Sequence, residues 1–581
     1  MKQDQQLSMD FLTSELEPID ELVNYEPLDW QLAELMQQLN GEENQTLKNC
    51  TLEISKHTRE GQIALACNQA QQDELSTLNV VGKAGDYQPL ILDNGYCYLR
   101  RYWQYQQQLA DQINSRLSSQ EVTTEQRDWQ EERFQHYFND DSIKDETNWQ
   151  KVAAERALNH DFLILSGGPG TGKTTTITRI LALLIEQSLM KEGVSILLAA
   201  PTGKAAIRML DAIRETQQRM NLSEDVQKRM PKRASTIHKL LGFQRNSVNF
   251  KHNQKRPLNA DIVLIDEASM IDIALMSKLL NAIPRDAKLI LIGDKDQLSS
   301  VETGSVFADI CKGLEGRQNL VTLQKNWRFE DNSGIAQLAT AANNGDSPKV
   351  LEVLRDKKIP ECTLIFPIVI ATKRLPSDFV LPWKNYLNIL NDPTAKITEI
   401  FKAFNQYRVL CALRRGLQGS QVVNQRIETV LAKQGSIHLG KSQNKIWYHG
   451  RPVMVTQNSY SKGLFNGDTG ITLIRNGETK VYFPDSLDDN ENAFKSIAPI
   501  RLPVHETTWA MTIHKSQGSE FDQVILVLPN EPMPLLTRQL IYTGITRAKK
   551  SINIVASEDI LKTGIKNEVL QATQIEQKLL L

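Results

Sequence analysis

Gly167, Gly168, Pro169, Gly170, Thr171, Gly172, Lys173 and Thr174 have the residue types and spacing of a loop that cradles a polyphosphate. Glycines let successive backbone N–H groups turn onto phosphate oxygens, and a helix beginning there adds its positive end. Lys173 can reach the β- and γ-phosphates, Thr174 can ligate Mg2+, and Thr175 follows in the same first turn. The predicted ligands are ATP and Mg2+.

Two more polar clusters belong to the same chemistry. Ile262–Ile265 is an apolar run ending in Asp266 and Glu267. Asp266 is placed to hold Mg2+ through water, and Glu267 to orient or deprotonate the attacking water. Neighbouring side chains on a strand point to opposite faces, so this pair serves one site only if the strand bends into a loop there. After a second apolar run come Asp294 and Gln297, Gln297 as a candidate sensor of the γ-phosphate and Asp294 as the residue holding its loop. Arg328 and Arg547 are candidates to stabilise transition-state charge, because an arginine reaching the γ-phosphate from a second domain couples hydrolysis to closure. Their alternative reading is a solvated ion-pair partner.

These residues need strands to carry them. Short apolar runs at 162–165, 196–200, 262–265 and 289–292 alternate with helical segments, the pattern of a parallel sheet with crossover helices. Ligands of such sheets gather at the carboxyl ends of the strands. A second α/β unit follows, with runs at 409–413, 524–528 and 552–555 and helical segments near 418–433 and 535–549. Between them, 445–505 reads as short strands joined by Gly, Asn and Asp turns, a small β insertion. The predicted organisation is 1–115 mostly helical, 116–330 the first α/β unit with a short hairpin insertion at about 243–258, and 331–444 with 506–581 the second. Leu32, Leu35, Met36 and Leu39 fall at helical spacing in the first segment.

At 581 residues the chain exceeds one hydrophobic core, and 40% apolar with 23% charged residues suits a globular protein. No run of 18 uncharged apolar residues appears, and the N-terminus lacks a secretory apolar core, so a cytoplasmic protein without a membrane span is expected. Six scattered cysteines, none in a CxxC pair, predict thiols rather than disulfides or a metal cluster. The net charge of −2 conceals an acidic head, eleven acidic residues against two lysines in 1–48, and a basic stretch, thirteen Lys and Arg against four acidic residues in 201–256. The basic stretch would attract a nucleic-acid backbone. Within it, Pro201, Thr202 and Lys204 follow a strand and could grip a backbone phosphate. His238 lies in a Thr-Ile-His-Lys segment, and Thr512, His514 and Lys515 lie in a second copy on the other α/β unit. Either histidine could stack on a base or contact a phosphate, and either could be a structural hydrogen bonder.

Taken in order, these segments, with Asn326-Trp-Arg-Phe329 and Tyr542-Thr-Gly-Ile-Thr-Arg-Ala548, resemble superfamily 1 DNA helicases over about residues 149–560. Val409–Arg415, Asn424–Arg426, Trp447–Met454 and Leu464–Asp468 narrow the resemblance to the RecD family, the α subunits of exodeoxyribonuclease V, the RecBCD complex. The resemblance implies two RecA-like P-loop motor domains and an SH3-like β insertion on the second. It implies 5′-to-3′ translocation on single-stranded DNA and action on DNA ends. It implies an N-terminal domain docked on a RecC-like subunit, with a RecB-like subunit supplying the nuclease. It assigns Gln150 to adenine, and Lys173, Thr174, Asp266, Glu267, Gln297, Arg328 and Arg547 to the ATPase site. The longer stand-alone relatives carry N-terminal helix-hairpin-helix modules, which this sequence does not show. A stand-alone helicase and a regulatory subunit with a minor ATPase role are the alternative functions. Outside the motor motifs, no carboxylate and lysine cluster at nuclease spacing is found.

Overall fold

The computed structural model describes residues 25–117, 123–138, 147–188, 193–244, 247–299, 304, 306–327, 333–365, 375, 379–439, 447–484, 494–568 and 573–579. Two parallel sheets dominate. The first takes β5 (Phe162–Gly167), β6 (Ile196–Ala200), β7 (Ser235–Thr236), β8 (Ile262–Ile265), β9 (Lys288–Gly293) and β10 (Leu320–Leu323) in the order β10-β5-β9-β8-β6-β7. Every residue of β5 and β8 is buried, as strands covered by helices on both faces must be. The second sheet is β11 (Cys362–Ile365), β20 (Ala548–Val555), β19 (Phe521–Val527), β12 (Tyr407–Cys411) and β18 (Ala510–Thr512), again all parallel.

The β insertion is a five-stranded antiparallel sheet, β16 (Phe494–Ile497), β15 (Glu478–Pro484), β14 (Thr469–Arg475), β13 (Pro452–Val455) and β17 (His505–Thr507). Its last strand runs to Thr507, two residues past the predicted edge. The β14–β15 hairpin turns through Asn476 and Gly477, at φ 53° and 78°, the paired positive angles of a tight hairpin.

Three features differ from the sequence reading. The N-terminal unit has helices Pro27–Asn40, Gln45–Arg59, Gln69–Leu75 and Arg100–Asn114, but also a four-stranded sheet, β1 (Ala64–Ala66), β4 (Tyr96–Leu99), β3 (Leu90–Asp93) and β2 (Val81–Lys83). Its last helix is not separate from the motor: Leu109, Ala110 and Ile113 share one core with Phe162, Ile164 and Leu279 of the first unit. The predicted hairpin near 243–258 is reduced, among the described residues, to one antiparallel bridge between Asn253 and Arg256. The helix Ile575–Leu579 joins the first unit rather than the second. Ile575 and Leu579 enter that same core, Asp309 accepts from the Thr573 backbone N–H at 2.9 Å and hydroxyl at 2.7 Å, and Lys578 pairs with Asp93 at 2.8 Å.

All six cysteines are buried and unbridged. Among the described residues, no helix is long and apolar enough to cross a membrane.

Candidate active site

β5 runs into the glycine loop, and Gly172, at φ 83°, starts the helix Lys173–Gln187. Gly170 shares that left-handed backbone at φ 84°, which a side chain would resist. Space reinforces the requirement. A Cβ on Gly168 would lie 2.9 Å from the Tyr542 hydroxyl oxygen, and one on Gly172 would lie 2.6 Å from Gln150 Nε2. The loop turns its cation inward: Lys173 Nζ donates to the carbonyls of Gly167 at 2.5 Å and Gly168 at 3.0 Å. The Thr171 hydroxyl donates to Gly168 O at 2.8 Å. Pro169 O accepts from Asn326 Nδ2 at 3.0 Å and Gly170 O from the Trp327 backbone N–H at 2.8 Å, so the segment ahead of Arg328 lies on the loop. Arg328 itself is outside the described residues.

Asp266 follows β8, and its carboxylate accepts the Glu267 backbone N–H at 2.8 Å. Glu267 sits at φ 52°, ψ 40°, a left-handed conformation that is costly for a residue with a side chain and concentrates at functional sites. That twist breaks the alternation of the strand, which lets two consecutive carboxylates serve one region. Burial, and then the Glu267 charge, push the Asp266 carboxyl up to about 6, with Lys173 and Arg208 pulling the other way. A desolvated carboxylate pair of this kind gains from a nearby cation. Among the described residues no cluster of three or more His, Cys, Asp or Glu could hold a metal alone, so a cation here would share its shell with phosphate and water.

The two sheets meet around Asp294–Leu298. Asp294 is buried, which raises its pKa, and its Oδ2 accepts from Gln297 Nε2 at 2.8 Å and from the Tyr542 hydroxyl at 3.3 Å. Gln297 Oε1 in turn accepts from Arg547 Nη2 at 2.8 Å. Arg547, 2% exposed, also donates to Thr543 O and Ser519 O, and burial lowers its pKa. Two backbone groups complete the seam: Leu298 N–H donates to Thr543 Oγ1 at 2.7 Å, and Leu298 O accepts from Gln517 Nε2 at 2.6 Å. Lys173, Asp266, Glu267, Gln297 and Arg547 therefore lie at one cleft between the units.

Gln150 lies beside the loop on the helix Trp149–Asn159, 8% exposed, with Oε1 accepting from Arg179 Nη1 at 2.9 Å. The candidate DNA contacts are more varied. Thr202 spends its hydroxyl capping the helix Gly203–Arg219, accepting from Ala205 N at 3.2 Å, next to Pro201. Lys204 Nζ donates to Ser519 Oγ at 2.7 Å, across the cleft. Crowding of its ammonium group, then the charges of Arg408 and Arg208, lower its pKa to about 8, although the residue as a whole keeps an exposed surface. His238 is exposed and meets Phe250 edge to face at 5.6 Å. His514 and Thr512 are half-buried, and burial lowers the His514 pKa. Lys515 is tied to Glu506 of the β insertion at 2.7 Å, and Arg414 reaches the same carboxylate at 3.3 Å.

Sequence reasoning passed over Arg208, Tyr542 and Arg179. Arg208 pairs with Glu520 at 2.5 Å and donates to Gly518 O at 3.1 Å, bridging the units close to the two carboxylates. Its signal was its place one helical turn beyond Lys204. Tyr542 lies in the same segment as Arg547, and Arg179 looks like any helical arginine.

The comparisons agree with this geometry. An AAA domain family model matches residues 150–303, and a UvrD-like helicase C-terminal domain model matches 507–555. The RecBCD enzyme subunit RecD of Haemophilus influenzae is 34% identical over 83% of this chain and 80% of that protein. Its counterpart in Mycolicibacterium smegmatis is 36% identical over 83% of this chain and 82% of that one. An ATP-dependent RecD2 DNA helicase of Deinococcus radiodurans is 28% identical over 69% of this chain but 47% of its own length. With one nucleotide cleft shared by two parallel sheets and this identity along most of both sequences, the chain belongs to the RecD family.

Proposed function

We propose that this chain is an ATP-dependent DNA helicase that moves 5′ to 3′ on single-stranded DNA. We infer that it works within a RecBCD-type complex, beside RecB-like and RecC-like subunits, on double-strand DNA ends during recombinational repair. The observation that carries the reading is the chain of contacts Tyr542–Asp294–Gln297–Arg547, which ties the loop after β9 of one unit to the segment 542–547 of the other. Hydrolysis at such a seam changes what the seam holds, and so moves one unit against the other.

The residues divide the work. The amides of Gly168–Thr174 and Lys173 hold the phosphates, with the helix Lys173–Gln187 presenting its N-terminus. Thr174 and Asp266 would hold Mg2+, which when bound neutralises phosphate charge. Glu267 orients the attacking water. Gln297 senses the γ-phosphate, and Arg547 and Arg328 meet the charge that develops there. Pro201, Thr202, Lys204 and His238 on one unit, and Thr512, His514 and Lys515 on the other, form two DNA grips whose spacing changes as the cleft opens and closes. The N-terminal unit docks on a RecC-like subunit. Support comes from the helix Pro27–Asn40, which buries Ala33 and Met36 but leaves Leu28, Leu35 and Leu39 about half exposed.

The test is a matched pair of measurements. Lys173→Gln should abolish single-stranded-DNA-stimulated ATP hydrolysis while the melting temperature and assembly are kept, and wild-type turnover in that variant would sink the motor assignment. Purification from the native cell should recover RecB- and RecC-like chains, whereas recovery as a lone chain would favour the stand-alone helicase.

A further inference from the structure

Gln150 is a primary amide, one end donor and one end acceptor, and an amide free to flip reads no particular base. Here it is not free. Arg179, from the second turn of the helix Lys173–Gln187, places Nη1 2.9 Å from the side-chain oxygen. A guanidinium has donors and no acceptor, so the group facing it must be the carbonyl oxygen. The other end of the amide, Nε2, is thereby directed to Gly172 at the rim of the phosphate loop, where a Cβ on that glycine would come within 2.6 Å of it. Arg179 is itself held: its guanidinium lies 5.0 Å from the ring centre of Phe138, a residue 7% exposed at the end of the helix Thr124–Tyr137. The order is thus buried ring, guanidinium, amide oxygen, amide nitrogen, phosphate loop.

We infer that Arg179 is a positioning residue that fixes the donor–acceptor sense of Gln150 and so sets the preference of the site for adenine over guanine. The inference rests on Gln150 being the adenine contact. A glutamine of fixed sense matches adenine on two atoms: its nitrogen donates to N7, and the lone pair of its oxygen left by Arg179 accepts from the N6 amino group. Guanine presents two acceptors on that edge, N7 and O6, and leaves the fixed oxygen facing another oxygen. Without Arg179 the amide can rotate and offers its nitrogen to O6 or N7, so discrimination falls.

The experiment measures single-stranded-DNA-stimulated hydrolysis of ATP and of GTP by the full-length chain carrying Arg179→Met, Arg179→Lys or Gln150→Ala. Methionine keeps the apolar stem without the donors. In R179M the KM for ATP should rise about tenfold and the ATP-over-GTP ratio of kcat/KM should fall by a similar factor, with kcat for ATP within about twofold, the scale of one lost base-edge pair. R179K, which keeps a donor, should recover part of the selectivity. A rise in KM equal for ATP and GTP, or no change in selectivity, overturns the inference. Should R179M fail to melt cooperatively, Phe138→Leu, which removes the ring packed against the guanidinium, should lower the same ratio in the same direction, and an unchanged ratio there overturns it. Q150A separates the two ideas. If it leaves both KM and selectivity at wild-type values, the reading of Gln150 fails. If it alters them while R179M does not, only the role given to Arg179 fails.

Discussion

The Arg547 guanidinium donates to the side-chain oxygen of Gln297 at 2.8 Å, and these residues belong to different α/β units, 250 positions apart in the chain. Removing the arginine strands Gln297 Oε1 and leaves two carbonyls, Thr543 O and Ser519 O, short of a donor in a buried seam. Arg547→Ala should lower kcat by about a thousandfold, with a smaller change in the KM for ATP, as for removal of a charge that acts in the transition state. Steady-state ATP hydrolysis with saturating single-stranded DNA checks this, and a loss confined to KM would place Arg547 in ground-state binding.

Glu267 holds a backbone angle of φ 52° that glycine adopts without penalty. Glu267→Gly should therefore raise stability by about 1 kcal/mol while removing the residue proposed to orient water. Denaturant melts and ATP turnover on the same preparation test the trade. A variant both less stable and inactive would show that the angle carries no strain.

Burial raises the Asp309 carboxyl to about 6, despite the two hydrogen bonds it receives from Thr573. The folded state then binds the proton more tightly than the unfolded chain, so stability is greatest below the ordinary carboxylate value of about 4 and falls as pH rises toward 6. The cost at pH 7 is on the order of 2–3 kcal/mol. Asparagine keeps an oxygen for Thr573 and cannot ionise. Asp309→Asn should match wild type at pH 4 and melt at a higher temperature at pH 7, and equal melting at both values would contradict this.

Glu506 binds two cations, Lys515 at 2.7 Å and Arg414 at 3.3 Å, on the unit proposed to grip DNA. Glu506→Gln should release them, tighten single-stranded DNA binding, and steepen the log–log salt dependence by about 0.7 per freed cation that reaches a phosphate. Fluorescence anisotropy at several salt concentrations reads both effects. Weaker binding would mean that the carboxylate orients Lys515 toward the DNA instead of withholding it.

The nucleotide loop and the strands beneath it were legible because each rests on a run such as Phe162–Leu165 or Ile262–Ile265. Four apolar residues followed at once by a polar cluster are too short for a buried helix and suit a strand covered on both faces. The N-terminal sheet was missed although Asp93, Asn94, Gly95 and Tyr96 spell a two-residue hairpin, with Asn94 at φ 50° and Gly95 at φ 80°. Strands of three or four residues leave too little alternation to outweigh the helices around them. Charged residues were the least legible. Lys204 and Lys515 stand out in the sequence by their charge, but what each lysine faces is set by Ser519 and by Glu506, which the fold brings from elsewhere. The place of Ile575–Leu579 was also hidden, since five residues of helix carry no mark of which core they will enter.

That helix has a consequence for how the protein is made. Ile575 and Leu579, both buried, complete a core that also takes Leu109, Phe162 and Cys311. On a ribosome, the strands of the first sheet emerge hundreds of residues before the side chains that finish their packing. The second sheet lies between them in time, so the early motor must wait, with an apolar face uncovered, until the later one has been synthesised. Released chains truncated before residue 573 should be cleaved readily in the first unit by limited proteolysis, and released full-length chains should resist.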